Sequence, residues 1–237
     1  MRRALIAISS VALGCGGSTP GEASPTPARL EAVVDAPGAT GEGFGDPSRA
    51  TNGVRGGGPT QGGFDVYSLD YASRPYLVLG VGGIVRNGDG ADLVVFENPF
   101  RSGLGEGNFM DPIVVAVSRD GTTFVDLPHE YLAPDPSEYS IDPDHWQGFA
   151  GITPVLLHED EHPADPFDPI AAGGDAFDLD ALPLDGGEAE AIRTEGFRFV
   201  RLTSAAIEID PNTGARYPRD PVATGADIDG VYVRWVE

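Results

Sequence analysis

Lysine is absent from this sequence. All 15 basic residues are arginine, against 37 aspartates and glutamates, and the net charge is −22. A charge of that sign repels phosphate backbones and argues against nucleic acid as a partner. It favours solubility and attracts divalent cations. Cysteine is nearly absent too: Cys15 is the only one. No disulfide can form within one chain, so the domain must be held by its core or by something bound to the folded state. No apolar run reaches the roughly 20 residues of a membrane-crossing helix. No Gly-x-Ser-x-Gly occurs, and no amphipathic pattern extends past ten residues.

Glycine (33) and proline (21) are abundant. From about residue 30 they punctuate short apolar runs, as turns do in an all-β domain. The 237 residues suit one domain of ordinary size plus a tail.

The chain opens "MRRALIAISSVALGC". Arg2 and Arg3 precede a short apolar stretch, the pattern of a signal peptide over residues 1–14. The Cys15 that follows resembles the lipidated cysteine of bacterial lipoproteins, although Ala12 stands where that pattern prefers leucine. The alternative is a plain secreted protein cut nearby. Residues 15–29 are rich in Gly, Ser, Thr and Pro and read as a flexible tether. A single β domain is expected over 30–237, at the cell envelope or cell surface, with membrane contact only through the N-terminal lipid.

Strands are expected at 64–70, 76–85, 92–98, 196–207 and 227–236. Residues 113–127 read as a hairpin, with Asp120-Gly121 supplying the positive φ angles of a tight turn. In the last strand Val231, Val233 and Trp235 share one face, with Tyr232 and Arg234 on the other. Residues 176–184 have room for one short turn of helix. Between 128 and 195 the chain is acidic and loop-rich. Such short strands between Gly, Pro and Asp turns point to a β-sandwich.

Several acids fall where metal ligands could. Asn87, Asp89 and Asp92 lie among glycines in "NGDGADLVVFEN". The spacing is not that of an EF-hand, since Ala91 takes a ligand position and a strand follows. Combined with Asp227 and Asp229 ahead of the last strand, these oxygens suit Ca²⁺. They also suit ordinary hairpin turns. A second group, Asp165, Asp168, Asp175 and Asp178, could hold another Ca²⁺ or form a solvated loop. "HEDEH" (158–162) has two histidines at helical spacing, but Pro163 follows at once and no apolar helix surrounds it, which argues against a zinc hydrolase. Tyr131, Tyr139, Trp146 and Phe149 fall in the loop-rich middle, where loops of a sandwich present a binding face. Tyr139, Trp146 and Phe149 are the candidate ligand-binding residues. The alternative is that Trp146 and Phe149 cover an edge of the core.

The motifs "D-VFEN-F", "AGGDAFDLDAL" (172–182), "FRFVRLTS" and "GADIDGVYV" (225–233) resemble, in order, those of a family of bacterial cell-surface proteins without an assigned role. More distantly, the "VSRDG" hairpin, the "RFVRL" strand and the acids before the last strand are similar to galactose-binding-like jelly rolls. That resemblance implies a jelly-roll β-sandwich, here with long acidic loops, and a structural calcium between an early loop and the final strand. The resulting expectation is a non-catalytic binding module, calcium-stabilised, whose partner is a carbohydrate or surface polymer. The alternatives are a structural or adhesive surface protein without a small ligand, and a hydrolase of envelope polymers. The sequence carries no signal for an oligomeric state.

Overall fold

The structure is a computed structural model that describes residues 25–101 and 107–237. The signal 1–14 and Cys15 lie outside the described residues. The described chain is mostly antiparallel β-structure. In chain order its strands are β1 (Ala28–Arg29), β2 (Ala32–Asp35), β3 (Tyr67–Ser68), β4 (Tyr76–Val85), β5 (Leu93–Phe96), β6 (Phe100–Arg101), β7 (Asn108–Phe109), β8 (Ile113–Ser118), β9 (Phe124–Asp126), β10 (Glu130–Tyr131), β11 (Trp146–Gln147), β12 (Asp175–Phe177), β13 (Phe197–Ser204), β14 (Asp227–Ile228) and β15 (Gly230–Val233). One α-helix, α1 (Glu188–Glu195), precedes β13. Among the described residues no helix is long and apolar enough to cross a membrane.

Two larger sheets carry the fold. One has the order β2-β4-β13-β8-β9 and the other β1-β15-β5-β12; β14-β3, β6-β7 and β10-β11 are two-stranded ribbons. A single hydrophobic cluster draws on both larger sheets: Leu77 and Leu79 of β4, Val115 and Val117 of β8, Val200 and Leu202 of β13, Leu93 and Val95 of β5, and Val231 and Val233 of β15. β5 is buried on its other face as well, where Val94 and Phe96 join Val54, Val155 and Leu157. A strand covered on both sides reads as a continuous apolar run, which explains "LVVF". β1 pairs with β15 through Ala28↔Val233 and Arg29↔Tyr232. The folded domain therefore takes in two residues of the expected tether.

Three local expectations are corrected. Asp120-Gly121 does not make a two-residue turn: only Gly121 has positive φ, at 76°. The Asp120 carboxylate instead accepts from the Thr122 and Thr123 amides, both at 2.8 Å, and organises a five-residue loop between β8 and β9. The expected strand at 64–70 shrinks to Tyr67–Ser68. Trp235 leaves the alternation of the last strand. Its φ is 58°, and the chain bends there so that Val236 bridges to Val85. The helix α1 has only Ile192 buried, so it offers no apolar stripe to read.

The bend seats the Trp235 indole against Gly88. A Cβ built on Gly88 would overlap that ring, whereas one on Gly82 in β4 would meet nothing within 4 Å. Gly88→Ala should destabilise the domain by about 1–3 kcal/mol through overpacking. Gly82→Ala should stay within about 0.5 kcal/mol of the parent. Urea unfolding of the two variants tests this, and equal stabilities would reject the close approach.

Candidate functional site

The register of β5 against β15 decides which acids can meet. Leu93 lies opposite Val233 and Phe96 opposite Gly230. Asp92 therefore sits at one end of the ladder, where its carbonyl accepts from Arg234, and Asp229 at the other, where its amide donates to Phe96. Five residues of strand at roughly 3.4 Å each put Asp92 about 17 Å from Glu97. The expected single site from Asn87, Asp89, Asp92, Asp227 and Asp229 is not assembled. Antiparallel pairing sends its two halves to opposite ends.

Each half has its own work. Asp92 is fully buried, and its two carboxylate oxygens accept from the Gly88 amide at 2.9 Å and the Leu179 amide at 2.8 Å. Asn87 donates to Asp180 at 3.0 Å. Asp89 is exposed. Asp229 accepts from the Arg55 amide with both oxygens, at 2.9 and 3.0 Å. Burial pushes its carboxyl up to about 7.

The second expected group does not gather either. Asp165 accepts from the Phe167 amide, Asp168 from Ile170 and Ala171, and Asp178 from Asp180, each closing a turn two or three residues on. Asp175 accepts instead from the amides of Ile152 and Thr153, across the sheet edge. "HEDEH" forms a turn in which His162 donates from its amide to the His158 carbonyl, not a helix.

Of the three candidate aromatics, Tyr139 alone lines a cleft. Trp146 and Phe149 are 2% and 3% exposed. They pack with Tyr131 and Tyr217 in a second core, where the Tyr131 and Trp146 rings are 4.1 Å apart and Phe149 stands edge-on to Tyr217 at 5.2 Å. The cleft over Tyr139 has a volume of about 590 Å³. Phe109, Ile141 and Val222 form its apolar wall, and Asn108, Glu138, Arg219 and Asp220 supply polar groups. Phe109, Ile141 and Val222 are all exposed to solvent there. A second cleft, of about 570 Å³, runs along the Gly-rich segment 56–63 beside His158, Glu161 and His162.

Behind Tyr139 and Asp220 lie further acids. Glu97 is 3% exposed. Its Oε1 accepts from the Asp227 amide at 2.7 Å, and its Oε2, buried, has no hydrogen-bond partner. Asp111 accepts from the Tyr71 hydroxyl at 3.3 Å, and Asp227 from the Ser68 hydroxyl. Burial, reinforced by Asp111 and Asp227, drives the Glu97 carboxyl well above the usual range. Burial and the charges of Asp220 and Asp227 push Asp111 up to about 8. Burial, with Asp220, Asp111 and Glu97 nearby, also raises the Tyr139 hydroxyl. Among the described residues no group of three or more His, Cys, Asp or Glu side chains is placed to hold a metal ion. Of these acids, sequence reasoning assigned only Asp227 a role. Glu97 ends the β5 run, and Asp111 and Asp220 each stand directly before a proline, a turn signal that says nothing of burial.

Removing the Asp92 carboxylate strands two backbone amides, each worth about 1–3 kcal/mol when left unpaired in the interior. Asp92→Ala should cost about 2–4 kcal/mol in urea unfolding, and Asp89→Ala close to nothing; equal effects would show that Asp92 pins no loop. A pH dependence follows as well. Burial holds the Asp92 and Asp175 carboxyls at about 6, against roughly 3.9 in an unfolded chain. Between those values the folded state keeps protons that the unfolded state has released. Stability therefore falls as pH rises through 6. The Tm measured in chelator should climb from pH 7.5 to pH 5, less steeply in Asp92→Asn; identical slopes would contradict it.

No protein-family model, curated protein or solved structure matches the chain.

Proposed function

We propose that this chain is an exported, lipid-anchored, non-catalytic binding module, and that the cleft over Tyr139 receives a carbohydrate or surface polymer. The observation that carries the reading is the exposed apolar wall of that cleft. Monomeric proteins leave few large apolar side chains together in a concavity unless something binds there. Phe109, Ile141 and Val222 are 41%, 56% and 73% exposed around one hollow. Aromatic rings such as Phe109 and Tyr139 suit the apolar face of a sugar ring. Asn108, Glu138 and Asp220 suit its hydroxyls, since amides and carboxylates accept hydrogen bonds from them.

The finer architecture we infer is a jelly-roll β-sandwich, supported by the contribution of both larger sheets to one core. The leader and Cys15 support export and lipid anchoring. Attachment at the envelope would bring the cleft close to surface polymers.

The test is retention on an immobilised glycan panel. Binding to at least one glycan is expected, with about tenfold or greater loss in Phe109→Ala and Val222→Ser. Phe64→Ala, exposed outside this cleft, should bind normally. All three variants should keep stability within about 1 kcal/mol, as surface changes do. Retention of no glycan, or an equal loss in Phe64→Ala, would sink the reading.

A further inference from the structure

Four carboxylates from four separate stretches of chain lie within electrostatic reach of one another beneath the cleft, Asp111 feeling Asp220 and Asp227, and Glu97 feeling Asp111 and Asp227. Glu97 ends β5, Asp111 precedes β8, Asp220 lies in the loop after Tyr217, and Asp227 opens β14. Glu97 and Asp227 are joined directly, by the 2.7 Å bond from the Asp227 amide to Glu97 Oε1. Gly151 links Glu97 to Asp111. A Cβ at that position would stand 2.6 Å from the Asp111 carbonyl oxygen and 3.4 Å from Glu97 Oε2. Its φ of +79° selects glycine, and the absence of a side chain lets the Asp111 backbone approach beside the unpartnered Oε2.

That oxygen is anomalous. A carboxylate 97% removed from solvent ordinarily has its lone pairs filled, because desolvating a charge without a partner is costly. Here one oxygen has no donor, and the charges acting on this carboxyl are those of further acids. The ion pairs among the described residues all lie elsewhere, and the chain has no lysine to offer. Compensation must come from a proton or from a cation out of solution. The donor set is all oxygen, with no imidazole or thiolate, and sits on loops and strand ends. Such ligands suit Ca²⁺, which accepts six to eight oxygens in flexible geometry, better than Mg²⁺, which demands a near-ideal octahedron.

We propose that Glu97, Asp111, Asp220 and Asp227 form a binding site for one hard divalent cation of the calcium class. The ion draws the four side chains together and fixes the loops that carry them. The site goes beyond the cleft reading and does not depend on it, although Asp220 belongs to both. It is distinct from Asn87, Asp89 and Asp92, at the far end of β5.

The experiment is calorimetric titration of CaCl₂ into the full chain, stripped with chelator, at about 0.1 M salt to screen surface attraction, with no sugar present. One saturable Ca²⁺ per chain is expected, undisturbed by equal Mg²⁺. Losing even an outer partner of a metal ligand costs about 10- to 100-fold in affinity, so Glu97→Gln and Asp111→Asn should each weaken binding at least tenfold. Asp89→Ala should leave it unchanged. Ca²⁺ should raise the parent's Tm by several degrees and leave that of Glu97→Gln nearly fixed. In chelator Glu97→Gln should melt no lower than the parent, because it removes an uncompensated charge and keeps the shape; this separates loss of a ligand from loss of the fold. The proposal is overturned if the parent shows no saturable Ca²⁺ binding, which leaves protons as the compensation, or if both acid variants bind as the parent does. Because no glycan enters the titration, either result leaves the cleft assignment untouched.

Discussion

Strand β5 is the constraint on which the rest of the molecule depends. Its four residues, Leu93–Phe96, are buried on both faces, with β15 on one edge and β12 on the other. A strand so enclosed can meet polar structure only at its ends. At one end Asp92 accepts the amides of Gly88 and Leu179. At the other, Glu97 accepts the amide of Asp227, and two residues further along that chain Asp229 takes the amide of Arg55. Carboxylates do here what disulfides do in many other domains. They tie stretches of chain far apart in sequence, and they tie them by satisfying backbone donors that burial would otherwise strand.

The arrangement carries an electrostatic cost that the composition makes hard to offset. With only arginine for positive charge, and those arginines paired near the surface at Glu159, Asp65, Glu195 or Asp180, interior acids rely on amides. At Asp92 the supply matches the demand, one amide to each oxygen. At the Glu97 end it does not. Four acids share too few donors, and the carboxyls of Glu97, Asp111 and Asp227 are all raised. The two ends of one strand thus differ in kind: one is a finished structural tie, the other a set of oxygens still short of positive charge.

What the sequence reveals follows the same division between local and non-local information. The strand at 76–85 is legible to the residue because its apolar run and flanking turn signals are local. The all-β class is legible for the same reason. The helix α1 is not, because a helix with one buried residue leaves no periodic trace. The acids are half legible. That Asp92 and Asp229 are special shows in their positions at the mouths of strands. That they are kept apart does not, since only the antiparallel register of β5 and β15 fixes which ends meet. Glu97, Asp111 and Asp220 come from three stretches of chain and become neighbours only through the sheet. Trp146 and Phe149 suit an exposed platform by composition, and go instead into a second core with Tyr131 and Tyr217, a grouping across more than eighty residues of chain.

The cleft and the acid cluster are two sides of one piece of structure. Tyr139 shows this: its ring lines the cleft, and its hydroxyl, bonded to the Met110 carbonyl, feels the charge of Asp220, Asp111 and Glu97. Asp220 is shared outright between cleft and cluster. The loops that form the cleft are therefore not free to vary independently of the core beneath them. Asp220, in one of those loops, adds its charge to the load on the buried Asp111 carboxyl at their base. Binding surfaces are commonly loops held by a rigid scaffold. In this fold Tyr139 and Asp220 stand at that junction, each lining the cleft while one is bonded to the Met110 carbonyl and the other acts on the buried Asp111.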